Sequence, residues 1–135
     1  MIGIVVVSHS RKVAEGIVEM VQEISSRDGK VMPIFPAGGN LEGKLGTDPR
    51  KVLEAIKKAD NGGGVVVLCD LGSAVISSQA AISMLEEPLR SRVRIADAPL
   101  CEGAIGAAVE AASDSANSLA QVVATAEGSR QLHKR

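Results

Sequence analysis

The sequence predicts one α/β domain built around a parallel sheet. Two apolar runs, residues 2–7 and 65–69, are rich in β-branched residues and are bounded by polar residues or glycine, which is typical of strands buried on both faces. Segments with helical spacing of apolar residues alternate with these runs, and that alternation favours right-handed crossovers between parallel strands. A length of 135 residues suits one domain of this kind.

Strands and helices alternate along the chain, and glycine, proline and capping residues mark their ends. Ser10 and Asp48 suit helix N-caps, and Pro33 confines its strand to an edge of the sheet. Residues 36–47 include four glycines and are expected to form a functional loop, because loops this long are uncommon in small domains. The expected strands are residues 2–7, 31–35, 65–69 and 93–96, and the expected helices lie at about residues 11–25, 49–59, 73–85, 99–112 and 115–127.

Two of the later helices have serine or aspartate as candidate caps. Ser73 is expected to cap the third helix, and Asp114 or Ser115 is expected to cap the last one. Residues 128–135 are expected to be a flexible, basic tail, which confines the domain to residues 1–127.

The simplest arrangement of these strands has the order 2-1-3-4, with helices on both faces of the sheet. In that order the direction in which successive strands are added to the sheet reverses between strands 1 and 3, so that their carboxyl ends form the two sides of one crevice, where ligands bind in open α/β sheets. His9 follows strand 1 and Asp70 follows strand 3. The predicted topology therefore places these two side chains next to each other.

The composition excludes several classes of function. A formal net charge of −1 gives no general attraction to nucleic acid, and Phe35, the single aromatic residue, offers no platform for stacking bases. No window approaches the roughly 18 apolar residues that span a bilayer, and the N-terminal run lacks the length and basic flank of a signal peptide. Cys69 and Cys101 lack metal-ligand spacing and are expected to be free thiols. We therefore expect a cytoplasmic protein without membrane insertion.

His9 is the strongest candidate for chemistry. An imidazole is nucleophilic near neutral pH and can carry a phosphoryl group, and a carboxylate that binds its other nitrogen fixes the tautomer; Asp70 is the candidate for that role. The helix after Ser10 offers free backbone N–H groups to a phosphoryl group, and the hydroxyls of Ser8 and Ser10 could add hydrogen bonds. A purely structural histidine at the end of a strand is the alternative interpretation.

Arg11 and Lys12 are unusual at the start of a helix, because cations there oppose the helix dipole. An anionic ligand at that end would offset the cost and favours an anion site; side chains extended into solvent are the alternative. Asp70 and Thr47 also leave two interpretations open. Asp70 can cap its own loop, and Thr47 can either precede the next helix or line the site.

One motif is a false match. Residues 38–44 fit G-x-x-x-x-G-K, but Leu45 stands where a phosphate-binding loop needs Ser or Thr for magnesium, and Gly46 keeps the helix from starting at the lysine. The first turn has no glycine fingerprint for dinucleotides. Both cysteines are expected to be packing residues, and we expect neither a metal site nor a cofactor.

Four segments resemble the DhaM family, the phosphoryl-donor subunits of bacterial phosphoenolpyruvate-dependent dihydroxyacetone kinases. They are spread over nearly the whole chain in the family's order, and they are specific together although each is weak alone. The segments are Gly3-Ile-Val-Val-Val-Ser-His-Ser10, Gly46-Thr-Asp48, Cys69-Asp-Leu-Gly-Ser-Ala74 and Ala98-Pro-Leu-Cys-Glu-Gly-Ala104. The resemblance implies the parallel α/β fold of the IIA domains of mannose-type sugar phosphotransferase systems, and it implies a homodimer.

A phosphorelay is the activity that this resemblance implies. The phosphocarrier protein HPr, charged from phosphoenolpyruvate by Enzyme I, would phosphorylate His9. The group would then pass to ADP bound on the subunit DhaL, and from there to dihydroxyacetone held by DhaK. By the same resemblance Asp70 would face His9, and the pocket would be lined by Gly46, Thr47, Gly72 and Ser73. Cys101 departs from the family pattern, which has an aliphatic residue there.

Three alternatives compete with this hypothesis. A IIA subunit of a mannose-type sugar transporter would use the same histidine but pass the group to a IIB domain; Asp70-Leu-Gly-Ser-Ala74, without a Gly-Gly-Ser-Pro-like continuation, favours the kinase relay. A non-catalytic α/β interaction module with a structural His9 is the second alternative. A small hydrolase is the third, and neither a Ser-His-Asp order nor metal-ligand spacing supports it.

Overall fold

The two central strands of the sheet are the apolar runs of the sequence. The structure is a computed structural model that describes residues 1–26, 29–113 and 118–135. β1 (Gly3–Ser8) is buried over its whole length; the other strands are β2 (Ile34–Gly38), β3 (Val65–Cys69) and β4 (Val93–Ile95). All four strands are parallel and lie in the order β2-β1-β3-β4. The predicted fold class and strand order are confirmed.

Helices cover both faces of the sheet, as predicted. They are α1 (Arg11–Ser25), α2 (Pro49–Ala59), α3 (Gly72–Ser83), α4 (Leu100–Ala111) and α5 (Leu119–Gly128). The face that carries Ile4 and Leu68 packs against α1, α4 and α5, and the face that carries Val5 and Val67 packs against α2 and α3. Successive side chains of a strand point to opposite faces, which is why these strands are apolar throughout. None of the described helices is long and apolar enough to cross a membrane.

The second strand lies three residues later than predicted. Val31 is 75% exposed, and pairing with β1 begins at Ile34 and ends at Gly38. The ladder includes Pro36, whose missing N–H is tolerated because β2 is an edge strand. The expected bounds, residues 31–35, are therefore wrong, whereas the edge position is confirmed.

The sequence suggests capping residues for four helices, and one of the three expectations that fall on described residues is wrong. Ser10 and Asp48 cap α1 and α2 with their side chains, as expected. Ser73 does not cap α3, because the helix begins at Gly72, directly after Leu71, and has no side-chain cap. Ser73 therefore lies inside the first turn, which leaves its hydroxyl available to the site.

The last helix begins with a capping box. The hydroxyl of Ser118 accepts a hydrogen bond from the Gln121 N–H at 3.2 Å, and the Gln121 side chain accepts one from the Ser118 N–H at 2.8 Å. This reciprocal pair satisfies two of the N–H groups that a helix start leaves unpaired. The caps expected from the sequence, Asp114 and Ser115, lie outside the described residues.

Regular structure continues beyond residue 127, where we expect the tail to begin. A 3-10 turn at Ser129–Gln131 follows α5, and Ser129 is buried. Arg130 forms an ion pair with Asp97 at 2.8 Å, which ties this turn to the segment after β4. The mobility of the remaining residues stays a prediction.

Candidate active site

The site forms where β1 and β3 end side by side. Val7 pairs with Cys69 in the parallel ladder, and the Asp70 N–H donates to the carbonyl oxygen of Val7 at 3.2 Å. His9 and Asp70 therefore leave the same edge of the sheet from neighbouring strands. The structure brings together the two residues that the predicted topology pairs.

The carboxylate of Asp70 accepts hydrogen bonds from both sides of this crevice. Its Oδ2 accepts from the His9 N–H at 3.0 Å and from the Ser8 hydroxyl at 2.9 Å, and its Oδ1 accepts from the Leu71 N–H at 2.7 Å. Burial alone would raise the pKa of Asp70, but the hydrogen bonds from His9, Ser8 and Leu71 outweigh it and hold the pKa below its ordinary value of 3.8. Asp70 is therefore ionised near neutral pH and can only accept.

The ring of His9 is held at both nitrogens. Nδ1 lies 2.9 Å from Oδ1 of Asp70, and because the ionised carboxylate can only accept, the ring proton belongs on Nδ1. That tautomer leaves the lone pair on Nε2, which contacts the hydroxyl of Ser73. The His9 side chain is 25% exposed. The ring is thus oriented by the protein and partly exposed to solvent.

Ser73 connects His9 Nε2 to the amino end of α3. No side chain caps this helix, and the first N–H groups of a helix have no partners within it. The dipole of α3 also favours negative charge at this end. We expected the N-terminus after Ser10 to serve a phosphoryl group, whereas the ring nitrogen with the lone pair contacts the first turn of α3.

The hydroxyls of Ser8 and Ser10 are engaged within the chain. Ser8 is buried, donates to Asp70, and accepts a hydrogen bond from the Ser10 N–H at 3.1 Å. Ser10 accepts a hydrogen bond from the Val13 N–H at 3.2 Å and so caps α1. Ser8 therefore fixes the carboxylate behind His9, and Ser10 fixes the start of the next helix.

The loop between β2 and α2 borders the site. The Gly46 N–H donates to the carbonyl oxygen of His9 at 2.9 Å. Thr47 Oγ1 lies 2.6 Å from the hydroxyl of Ser77 and donates to the carbonyl oxygen of Ser73 at 3.4 Å, so Thr47 joins the loop to α3. Ser77 is not among the residues indicated by the sequence, although its position four residues after Ser73 puts both on one side of the helix. Gly72, also expected at the site, is exposed and begins α3.

Arg11 lies beside the site in an open depression of about 400 Å³. The residues that line it are Ser10, Arg11, Lys12, Gly43, Lys44 and Leu45. Lys44 comes from the loop that also contains Gly46. The sequence alone connects it only with the false phosphate-binding motif, so its position next to α1 was missed.

Neither cysteine is hydrogen-bonded to the His9 ring, whose partners are Asp70 and Ser73. Cys69 is buried at the end of β3, 3.4 Å from the hydroxyl of Ser78, and burial raises the pKa of its thiol. Burial also raises the pKa of Cys101. Both are free thiols that stay protonated near neutral pH, as expected for packing residues. Among the described residues, no three side chains of His, Cys, Asp or Glu lie together as a possible metal site.

Comparison with known proteins places the chain in a family. The model of the family EIIA-man, described as the PTS system fructose IIA component, matches residues 3–123. The phosphoryl donor subunit DhaM of PEP-dependent dihydroxyacetone kinase 2 from Listeria innocua is 40% identical over 110 residues, which cover 82% of this chain and 86% of that subunit. The crystal structure of EF1359, a protein of unknown function, has 39% sequence identity and a TM-score of 0.79, and the match covers 93% of this chain and 92% of EF1359.

Some relatives are much longer than this chain. DhaM from Escherichia coli K12 is 35% identical over 113 residues, which cover 84% of this chain but 24% of that protein. The chain thus spans about a quarter of that relative and most of the Listeria innocua subunit. On the extent of both kinds of match, the chain belongs to the EIIA-man family and to the DhaM family.

Proposed function

We propose that this chain is the histidine phosphocarrier of a dihydroxyacetone kinase system. Phospho-HPr phosphorylates His9, and His9 passes the group to ADP bound on DhaL, for phosphorylation of dihydroxyacetone held by DhaK. The observation that carries the proposal is the contact between Nδ1 of His9 and the ionised Asp70. This contact leaves a nucleophilic lone pair on Nε2, at an exposed edge of the sheet.

Transfer to His9 needs no separate acid or base. The Nε2 lone pair attacks the phosphorus of the donor's phosphohistidine, and the donor's N–P bond breaks as the Nε2–P bond forms. The His9 ring keeps its Nδ1 proton and becomes positively charged, while the donor ring leaves as neutral imidazole. Asp70, 2.9 Å from Nδ1, stabilises the charged ring, and the four donors around its carboxylate keep it in place.

The phosphoryl group on Nε2 lies at the amino end of α3 in this proposal. Ser73 moves its hydroxyl from Nε2 to a phosphoryl oxygen, and the uncapped first turn of α3 supplies backbone N–H groups. The hydroxyl of Thr47 donates to the carbonyl oxygen of Ser73 and so holds Ser73 in place. The same contacts serve the return step, in which an ADP phosphate oxygen attacks phosphorus and His9 leaves.

One alternative shares the first step. The family model that matches is described as a PTS system fructose IIA component, and a IIA subunit of a sugar transporter would pass the group from His9 to a IIB domain. The DhaM relatives favour the kinase relay. Transfer from the labelled protein to DhaL with ADP, measured against transfer to a IIB domain, separates the two.

The proposal is tested by labelling the purified protein. Incubation with phosphoenolpyruvate, Enzyme I and HPr is expected to give one acid-labile phosphate per chain, and His9→Ala is expected to give none. The matched control is His133→Ala, which removes the only other histidine, an exposed residue near the C-terminus, and should label like the wild type. Labelling of His9→Ala, or no labelling of the wild type, contradicts the proposal.

Two further properties, the oligomeric state and the location in the cell, are proposed from family membership alone. The chain is expected to form a homodimer and to work in the cytoplasm, where HPr and Enzyme I are found. Light scattering on the purified protein measures the first directly.

A further inference from the structure

Three cations form an exposed surface next to His9. Arg11 and Lys12 lie in the first turn of α1, Lys44 lies in the loop between β2 and α2, and all three line the same depression. All three are exposed, and we call them the basic patch. The patch adjoins the site because the chain passes directly from His9 through Ser10 into Arg11.

The basic patch has no counterion in the part of the chain that the structure describes. None of its side chains takes part in an ion pair there, although Glu15 lies one turn further along α1 and Glu42 lies in the same loop. Two of its cations also stand at a helix N-terminus, where the dipole disfavours positive charge. The positive charge of the basic patch is therefore not neutralised by an ion pair within the described part of the chain.

A phosphoryl group on His9 does not account for the basic patch either. Nε2 contacts Ser73 in α3, whereas the patch is built from α1 and from the loop before α2. The donors that we assign to the phosphoryl group are those of α3. The three cations of the basic patch are therefore available to a separate molecule that binds at this surface.

Exposed apolar side chains near His9 indicate that the binding partner of the basic patch is a protein. Leu45 borders the basic patch and is 79% exposed; Leu71 follows Asp70 and is 64% exposed; Ile76, on α3, is 67% exposed. Large apolar side chains that remain exposed around a polar centre are typical of protein interfaces. An inorganic phosphate ion would make no favourable contact with them.

We infer that the basic patch recognises an acidic surface on a protein that exchanges a phosphoryl group with His9. This inference rests on the proposed function and adds the chemistry of the partner. Complementary charge at the rim of an interface speeds diffusional encounter and fixes the docking register. An acidic surface would also supply the anion that the first turn of α1 lacks.

The test compares two double charge reversals of equal size. Lys12→Glu with Lys44→Glu reverses the basic patch. Lys57→Glu with Lys58→Glu changes the net charge equally in the last turn of α2, next to Ala59, which touches Gly3 at the opposite edge of the sheet. We measure the second-order rate of transfer from phospho-HPr and to DhaL with ADP, each at several salt concentrations.

The patch variant is expected to slow at least one of the two transfers about tenfold at low salt and to flatten its dependence on salt, while the control variant does neither. Its melting temperature should not fall, because Lys12→Glu puts an acid at the start of a helix. Equal rates and salt slopes in both variants overturn the inference. The inference is also overturned if the wild type binds phosphatidylserine vesicles, the patch variant does not, and the transfer rates of the two are equal.

Labelling keeps this test separate from that of the proposed function. Given long incubation at high salt, the patch variant should reach the same phosphate per chain as the wild type, because His9 and Asp70 are unchanged. A wild type that never labels refutes the phosphocarrier proposal itself. If the wild type is labelled and the patch variant has unchanged transfer rates, only the inference about the basic patch is refuted.

Discussion

At the scale of single residues, the site depends on how completely Asp70 is bonded. Both oxygens accept, one from the His9 N–H and the Ser8 hydroxyl, the other from the Leu71 N–H and the His9 ring. Hydrogen bonds of an ionised carboxylate to backbone N–H groups are strong and directional. The carboxylate is therefore fixed by the chain, and it in turn fixes the ring.

Asp70→Asn is expected to slow phosphoryl transfer without removing the acceptor nitrogen. An amide has one oxygen, so its NH₂ group must face either the His9 and Ser8 donors or the Leu71 and ring donors. Either orientation sets donor against donor and loosens the control of the tautomer. Removing the carboxylate behind a metal-binding histidine costs roughly 10- to 100-fold in activity, and we expect a similar loss in the rate of labelling by phospho-HPr.

Asp60→Asn is the matched control for this substitution. Asp60 also accepts a backbone hydrogen bond, from the Gly62 N–H at 3.0 Å, but it lies at the end of α2, away from His9. Its variant should label at the wild-type rate. If Asp70→Asn labels as fast as Asp60→Asn does, Asp70 has no part in the transfer.

Some residue-level features of the site follow from the sequence and others do not. The approach of His9 to Asp70 follows from strand order alone, because both residues come directly after neighbouring parallel strands. The contact of Ser73 with Nε2 depends on where α3 begins, and a shift of one residue turns a helical side chain by about 100°. The local pattern suggests a cap at Ser73, and only the family resemblance indicates that Ser73 lines the pocket; the contact with Nε2 itself could not be predicted.

At the scale of elements, the start of α1 is set by its close approach to β2. A Cβ on Gly38 would lie 2.6 Å from the carbonyl oxygen of Ser10 and 2.8 Å from Cβ of Ala14. Real Cβ atoms do not come so near to a backbone oxygen. The helix that follows His9 therefore lies against the edge strand only because residue 38 has no side chain.

Gly38→Ala is expected to destabilise the protein and to disturb the site. The added methyl group must push the first turn of α1 away from β2, at a cost of about 1–3 kcal/mol, the range for overpacked cores. Urea unfolding measures the loss of stability, and the rate of labelling of His9 measures the disturbance.

Gly16→Ala provides the control on the same helix. Nothing lies within 4 Å of a Cβ at Gly16, so alanine should stabilise the helix by about 0.5–1 kcal/mol and leave labelling unchanged. Equal stability of the two variants would show that the approach at Gly38 is not as close as described.

The misplaced second strand has a cause at this same scale. The sequence favoured residues 31–35 because they are apolar, but register is decided by the partner strand, and Ser8 pairs with Gly38. Glycine and proline weaken a strand prediction, and here both lie inside β2. Pairing and the packing of α1 overrule local preference at this edge.

At the scale of the whole molecule, several carboxylates are stabilised in their charged form. The pKa values of Asp48, Glu87 and Glu102 are lowered chiefly by hydrogen bonds from the side chains of Arg50, Ser91 and Lys134, respectively. The pKa of Asp70 is lowered although its burial acts in the opposite direction. These carboxyl groups lie in different parts of the chain, so their protonation affects the stability of the whole protein.

The protein is therefore expected to lose stability in acid. A carboxyl group with a lowered pKa in the folded state binds fewer protons there than in the unfolded chain, so acid favours unfolding. Its stabilisation is present above the ordinary pKa values of 3.8 and 4.5 and is lost as the pH falls through the lower, folded values. Urea midpoints measured from pH 7 down to about pH 3 should fall on the acid side. A midpoint that is flat or rising there would contradict the lowered values.

The single free nitrogen of His9 has a consequence for the turnover of the proposed relay. Because Nδ1 is committed to Asp70, the donor that brings a phosphoryl group and the acceptor that removes it must both reach Nε2, and they cannot do so together. Turnover then follows a ping-pong scheme, with the phosphorylated chain as its half-way state. In the proposed relay, HPr that has given up its phosphoryl group would compete with DhaL for the same nitrogen, so the ratio of the two proteins, as well as their absolute amounts, would set the flux.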